Sequence, residues 1–210
     1  MKTNPLNMKF ILPLFLFASI LVSCGNSETP KVNGSEVSEE ENSENRTLPK
    51  NDDRVSGFFK VTVDGKDYNS EQLQDNYCDM SFNFAGEKSF VAIRFKDVKS
   101  KDALIFNIYG PEDFIADPAG TLNAFMFTPG AKQKINVQFL PGDSMGSMSS
   151  ITMIEGEVNI SQFSEGQIKA TFNGKGAKPT DVVTKKNLVP IEGEIELKTT
   201  NITKIGNKGD

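Results

Sequence analysis

The sequence predicts an all-β protein: a single antiparallel β-sandwich, compatible with an immunoglobulin- or transthyretin-like topology, that follows a signal peptide and a disordered tether. Three observations carry this expectation. Short runs of alternating hydrophobicity recur between residues 58 and 197, Gly, Pro and Asp turns separate them, and no window offers a convincing amphipathic helix. The implied organisation is a signal peptide over 1–23, a lipidated cysteine and acidic tether over 24–54, a β-domain over 55–199 and a polar tail over 200–210.

The chain opens with Lys2 and Lys9 and an apolar run over 10–20 that contains Pro13. A spanning helix needs about 20 apolar residues, so this run reads as the h-region of an export signal. Leu21-Val22-Ser23-Cys24 then has the form of a lipobox: Ser23 is small enough to fit beside the scissile bond, and Cys24 becomes the acylated N-terminus. An ordinary secretory signal with a chance cysteine is the competing reading. Buried methylenes anchor at about 0.8 kcal/mol each, so several acyl chains on Cys24 would hold the protein firmly to a membrane. The expected address is the outer membrane, on its periplasmic face or at the cell surface.

Residues 25–49 are rich in Ser, Asn, Glu, Thr and Gly, with Glu39, Glu40, Glu41 and Glu44 clustered and no apolar periodicity. Such a segment cannot bury enough surface to offset its ordering entropy, and it reads as a tether reaching about 25–30 Å.

The β-domain begins with Phe59, Val61 and Val63 on one face of a strand, then Asp64-Gly65, a type I′ hairpin signal, with Lys66-Asp67-Tyr68 on the return. Further strands follow at 78–84, 90–95 and 104–108, the last closed by Gly110-Pro111. The second half continues with 122–127, the Pro129-Gly130 turn, 135–139, a loop over 141–150, and strands at 151–160, 167–172 and 191–197. Residues 70–76 and 111–116 offer a helical turn or two each.

Composition excludes several functions. The whole chain carries 23 basic and 28 acidic residues, a net charge of −5; losing Lys2 and Lys9 leaves 21 basic residues and −7. That surface repels phosphate backbones, so no nucleic-acid partner is expected. Histidine is absent, which removes the commonest general base and zinc ligand. With Cys24 acylated, Cys78 has no partner for a disulfide. Alternation places Cys78 with Met80, Phe82 and Phe84 on an apolar face, where a thiol is buried and inert rather than nucleophilic.

Certain stretches resemble a known group. Residues 59–68 (FKVTVDGKDY), 156–163 (GEVNISQF) and 168–172 (IKATF) resemble the motifs of small flavobacterial-type Bacteroidota lipoproteins with a β-sandwich domain. Ala170 stands where that group usually has Gly, and Glu194-Ile195 replaces its terminal Gly-x-Phe. The resemblance spans most of 57–197 and implies a lipid-anchored β-sandwich, with no active site to carry over.

Candidate sites are few. The 141–150 loop is the most unusual in composition, and its Asp143, Ser144, Met145 and Met148 are the candidate interaction residues. Met145, Met148 and Met153 have a spacing that soft Cu(I) accepts, without a supporting His or Cys. Ser144 or Ser149 beside a desolvated lysine would make a Ser-Lys hydrolase, though no Ser-x-x-Lys or Gly-x-Ser-x-Gly motif supports it. Asp113 with Asp117, and Asp64 with Asp67, are sparse carboxylate pairs better suited to turns than to calcium. Lys175, Lys178, Lys185 and Lys186 read as a solvated loop that blunts a sheet edge. The expected function is a non-catalytic binding module of the cell envelope, without cofactor or metal, acting on an envelope protein or glycan. The alternatives are an envelope hydrolase and a structural assembly protein.

Overall fold

The computed structural model describes residues 54–142 and 149–206. Leu21, Val22, Ser23 and Cys24, the acidic tether, and loop residues Asp143, Ser144, Met145 and Met148 lie outside them. The described chain is all-β, and its strands join one curled mixed sheet.

Chain order is β1 (Val55–Val63), β2 (Lys66–Asn69), β3 (Asp79–Asn83), β4 (Ser89–Lys96), β5 (Ala103–Gly110), helix α1 (Glu112–Ala116), β6 (Gly120–Leu122), β7 (Lys134–Leu140), β8 (Ile151–Ser164), β9 (Gln167–Ala177), β10 (Val189–Thr199) and β11 (Ile202–Ile205). The sheet runs β11-β3-β4-β5-β7-β8-β9-β10-β1-β2, with β6 added beside β8. Every ladder is antiparallel except β11 on β3.

Period-two patterning explains how this sheet finds its core. The inward positions of β3, β4 and β5 (Met80 and Phe82; Val91, Ile93 and Phe95; Leu104, Phe106 and Ile108) are all buried, as are Ile135, Val137 and Phe139 of β7. A chain of edge-to-face rings, Phe59–Phe95–Phe106–Phe172, crosses the interior at centroid distances of 6.3, 6.4 and 5.6 Å. Those rings come from β1, β4, β5 and β9, so the sheet folds back and one half covers the other. The layers join at β7–β8, where only Gln138–Thr152 and Phe139–Ile151 pair.

The Asp64-Gly65 hairpin is as the sequence requires: φ is 49° at Asp64 and 76° at Gly65, and Val63 pairs with Lys66. Cys78 is fully buried beside Met80. Its sulfur accepts from Lys96 N–H at 3.3 Å and faces the Lys96 carbonyl at 3.6 Å. Burial pushes the thiol up to about 11, away from the thiolate needed for reactivity.

Three expectations change. The 122–127 run is not one strand: β6 ends at Leu122, and Phe125 forms an isolated parallel bridge with Ile135. Thr128 closes a turn on Phe125, its hydroxyl accepting from Phe125 N–H at 3.0 Å while its own N–H donates to Phe125 O at 2.8 Å. Leu122 and Phe125 are buried three residues apart, which a period-two strand does not allow. The polar tail expected over 200–210 contains a strand, because β11 pairs alongside β3. Asn201 guides it, its carbonyl accepting from Met80 N–H at 3.0 Å and its amide donating to Asp75 O at 2.6 Å and Cys78 O at 3.2 Å. Finally, Lys175 lies on β9 and Lys178, Lys185 and Lys186 in the β9–β10 connection; both strands are paired on each side, so no edge is there to blunt.

One carboxylate organises the end of the domain near the β4–β5 turn. Asp97 is fully buried, and its Oδ1 accepts from Glu71 N–H and Gln72 N–H at 2.8 Å each. Its Oδ2 accepts from Lys99 N–H at 2.9 Å and Ser100 N–H at 2.8 Å. Burial alone would raise its pKa, but the four amide donors outweigh that and hold it below the ordinary carboxylate value.

Candidate functional site

A cleft of about 360 Å³ opens at one end of the folded sheet, where the two halves part. The hairpin register builds one wall: Lys66 pairs with Val63 and Tyr68 with Val61, so alternation puts both β2 side chains on the face that borders the cleft, Tyr68 half-buried and Lys66 exposed. The Tyr68 ring lies 4.7 Å from that of Phe139, and the Lys66 ammonium sits 4.8 Å from the Tyr68 centroid. Val63, Ile151 and Val189 complete an apolar floor, while Asp64, Lys66 and Lys178 stand exposed at the rim.

Pro141 and Ser149, which flank residues 143–148, also line this cleft. The approach to that segment is fixed from below. Gly142 N–H donates to Asp102 Oδ1 at 2.6 Å, and Asp102 O accepts from Asp97 N–H at 2.9 Å, which ties the approach to the buried Asp97 clamp. On the far side Ser150 is buried and faces the Gln138 amide at 3.4 Å.

The remaining sequence candidates disperse. Met153 is a core residue; its methyl lies over the facing glycines Gly156 and Gly174, where a Cβ on either would approach it to 2.8 or 2.6 Å, so it is not free for a copper site. Ser149 and Lys178 both border the cleft, but Lys178 is exposed and its ammonium solvated, unlike the desolvated lysine of a Ser-Lys pair. Asp67 Oδ1 accepts from Thr62 Oγ1 at 2.7 Å within the hairpin, while Asp113 and Asp117 are exposed at the two ends of α1. Among the described residues no group of three or more His, Cys, Asp and Glu side chains is placed to hold a metal ion. No described helix is long and apolar enough to cross a membrane.

The cleft was not legible residue by residue. Tyr68 and Lys66 are visible as hairpin positions, and the neighbouring loop by its composition, but their meeting with Phe139 and Val189 depends on the sheet curling. Asp97 had a local signal, an Asp three residues before Ser100 in a turn; its contacts with Glu71 and Gln72 had none. Comparison with protein-family models, with curated proteins and with solved structures finds no match.

Proposed function

We propose that this chain is a lipid-anchored, non-catalytic binding protein of the cell envelope, held at the outer membrane through Cys24 and engaging its ligand at the Tyr68–Phe139 cleft. The observation that carries this reading is the cleft itself: an apolar floor, charged groups of both signs at the rim, and the 141–150 loop entering and leaving beside it. The exposed Lys178 favours binding over hydrolysis, since a lysine that serves as base to a serine has to be desolvated. A purely structural assembly role would want a broad apolar face. The exposed large hydrophobics among the described residues instead sit on separate elements: Tyr77, Met126 with Phe127, Val183, and Ile202 with Ile205.

The test is methyl-detected NMR of the full chain in mild detergent, titrated with fractionated envelope extract. Saturable shifts concentrated on the methyls of Val63, Ile151 and Val189 are expected. Steady conversion of an extract component, with no saturable shift at those methyls, would instead favour the hydrolase.

A further inference from the structure

The two outer faces of the folded sheet differ in chemistry. Over β1, β8, β9 and β10 the outward positions are charged and cross-paired, with Lys60–Glu194 at 3.7 Å, Lys169–Glu196 at 3.0 Å and Lys175–Glu155 at 3.3 Å. This is an ordinary solvated face. Over β3, β4, β5 and β7 the outward positions form register rows of another kind. One row reads Ser81–Ala92–Asn107–Asn136, and the next Asn83–Phe90–Tyr109–Lys134. In a third row, Asp79 and Arg94 neutralise each other, Arg94 Nε donating to Asp79 Oδ1 at 2.7 Å.

The centre of this face is uncharged and underused. Phe90 and Tyr109 lie with centroids 5.8 Å apart and planes tilted by 40°, both half-buried on the outside of the sheet rather than in the core. Asn136 Oδ1 is buried without a hydrogen-bond partner among the described residues. The side chains of Asn83 and Asn107 and the Tyr109 hydroxyl likewise form no hydrogen bond among the described residues. The Tyr109 hydroxyl is pushed up by burial, in keeping with a partly dehydrated surface. Leaving a buried polar atom unpaired costs about 1–3 kcal/mol, so a face that keeps the Asn136 oxygen unpartnered beside two aromatic rings and further amides open to solvent is suited to a ligand that supplies hydroxyls. Its features match one ligand chemistry. Aromatic faces pack on the C–H faces of pyranose rings, and a side-chain amide offers a donor and an acceptor to neighbouring hydroxyls. The near-absence of net charge at the centre argues for a neutral ligand over an anionic one. Four strands span about 14 Å at the usual strand spacing, enough for a short oligosaccharide.

We propose that the outer face of β3-β4-β5-β7 binds a neutral polysaccharide, with sugar rings packed on Phe90 and Tyr109 and hydroxyls hydrogen-bonded by Asn107 and Asn136. This surface is separate from the Tyr68–Phe139 cleft and does not depend on it.

The experiment presents the full chain, in mild detergent, to immobilised mannan, galactomannan, xylan, mixed-linkage β-glucan and starch, with polygalacturonate as the anionic counterpart. Retention on at least one neutral polysaccharide is expected. Tyr109→Ala and Asn107→Ala should weaken it at least tenfold, and Lys169→Ala on the opposite face should leave it unchanged. Asn136→Ala separates function from folding: deleting an unpartnered buried oxygen should leave the melting temperature level or higher while still weakening retention. Retention on none of the neutral polysaccharides, retention on polygalacturonate alone, or undiminished retention by Tyr109→Ala and Asn136→Ala would overturn the proposal. So would a wild-type dimer that Tyr109→Ala converts to a monomer without any glycan retention, which would assign the face to a second copy of the chain.

Discussion

Replacing Asp97 by Asn changes one atom's chemistry and leaves the shape intact. The carboxylate serves two amide pairs at once, Glu71 and Gln72 on one oxygen and Lys99 and Ser100 on the other. An asparagine oxygen can serve one pair; its NH₂ then points at the other two N–H donors. Each unsatisfied amide costs about 1–3 kcal/mol, so Asp97→Asn should lose about 2–4 kcal/mol once some relaxation is allowed. For a domain of this size that is about 4–16 °C in Tm. Asp97→Ala, which abandons all four amides, should lose at least as much. Tryptophan is absent, so urea unfolding is followed by far-UV circular dichroism, with an unchanged m-value marking a true stability effect. The pH dependence adds a second check. Because the folded carboxylate titrates below its ordinary value, its contribution is fully present above the unfolded pKa of about 3.9 and is lost as pH falls through the folded pKa. The gap between wild type and Asp97→Asn should therefore narrow in acid. A variant within about 0.5 kcal/mol of wild type at pH 7, the usual scatter of surface substitutions, would refute the clamp.

Cys78 should resist a thiol reagent in the native state and react stoichiometrically in urea, since burial holds its pKa near 11; rapid native labelling would contradict its place in the core. Phe106→Ala removes the ring that touches both Phe95 and Phe172 and should cost about 3–5 kcal/mol by urea titration, with a loss under 1 kcal/mol speaking against the folded-over core. Gly174→Ala should cost at least about 1–3 kcal/mol, because its Cβ would lie 2.0 Å from the Glu155 carbonyl oxygen and 2.6 Å from the Met153 methyl; a neutral result in the same titration would show that β8 and β9 part easily.

The strands were legible because burial on one face imposes alternation, and the alternation is clear in Val91-Ala92-Ile93-Arg94-Phe95 and Ile135-Asn136-Val137-Gln138-Phe139. The Asp64-Gly65 hairpin was legible because its positive φ angles restrict the residue types at the turn. What alternation does not encode is which strands meet across the core, so one sheet folded on itself and two separate sheets look alike in sequence. β11 has no sequence signal for a different reason. Its place is set by backbone pairing and by Asn201 bonding to carbonyls more than 120 residues earlier in the chain, and a polar segment gives no pattern for that. The same holds for the outer face of β3-β4-β5-β7. Asn83, Asn107 and Asn136 each read as an unremarkable outward polar residue, and only the register makes them neighbours of Phe90 and Tyr109.

The proposal that this β-domain works at a membrane rests on Leu21-Val22-Ser23-Cys24, and the mass of the N-terminal peptide of the protein isolated from cells tests it most directly. The isolated chain should begin at Cys24 and carry diacylglyceryl and fatty-acyl groups, with Cys24→Ser leaving residues 1–23 attached and no acyl mass. A wild-type chain with an unmodified Cys24, or one cleaved elsewhere, would contradict it.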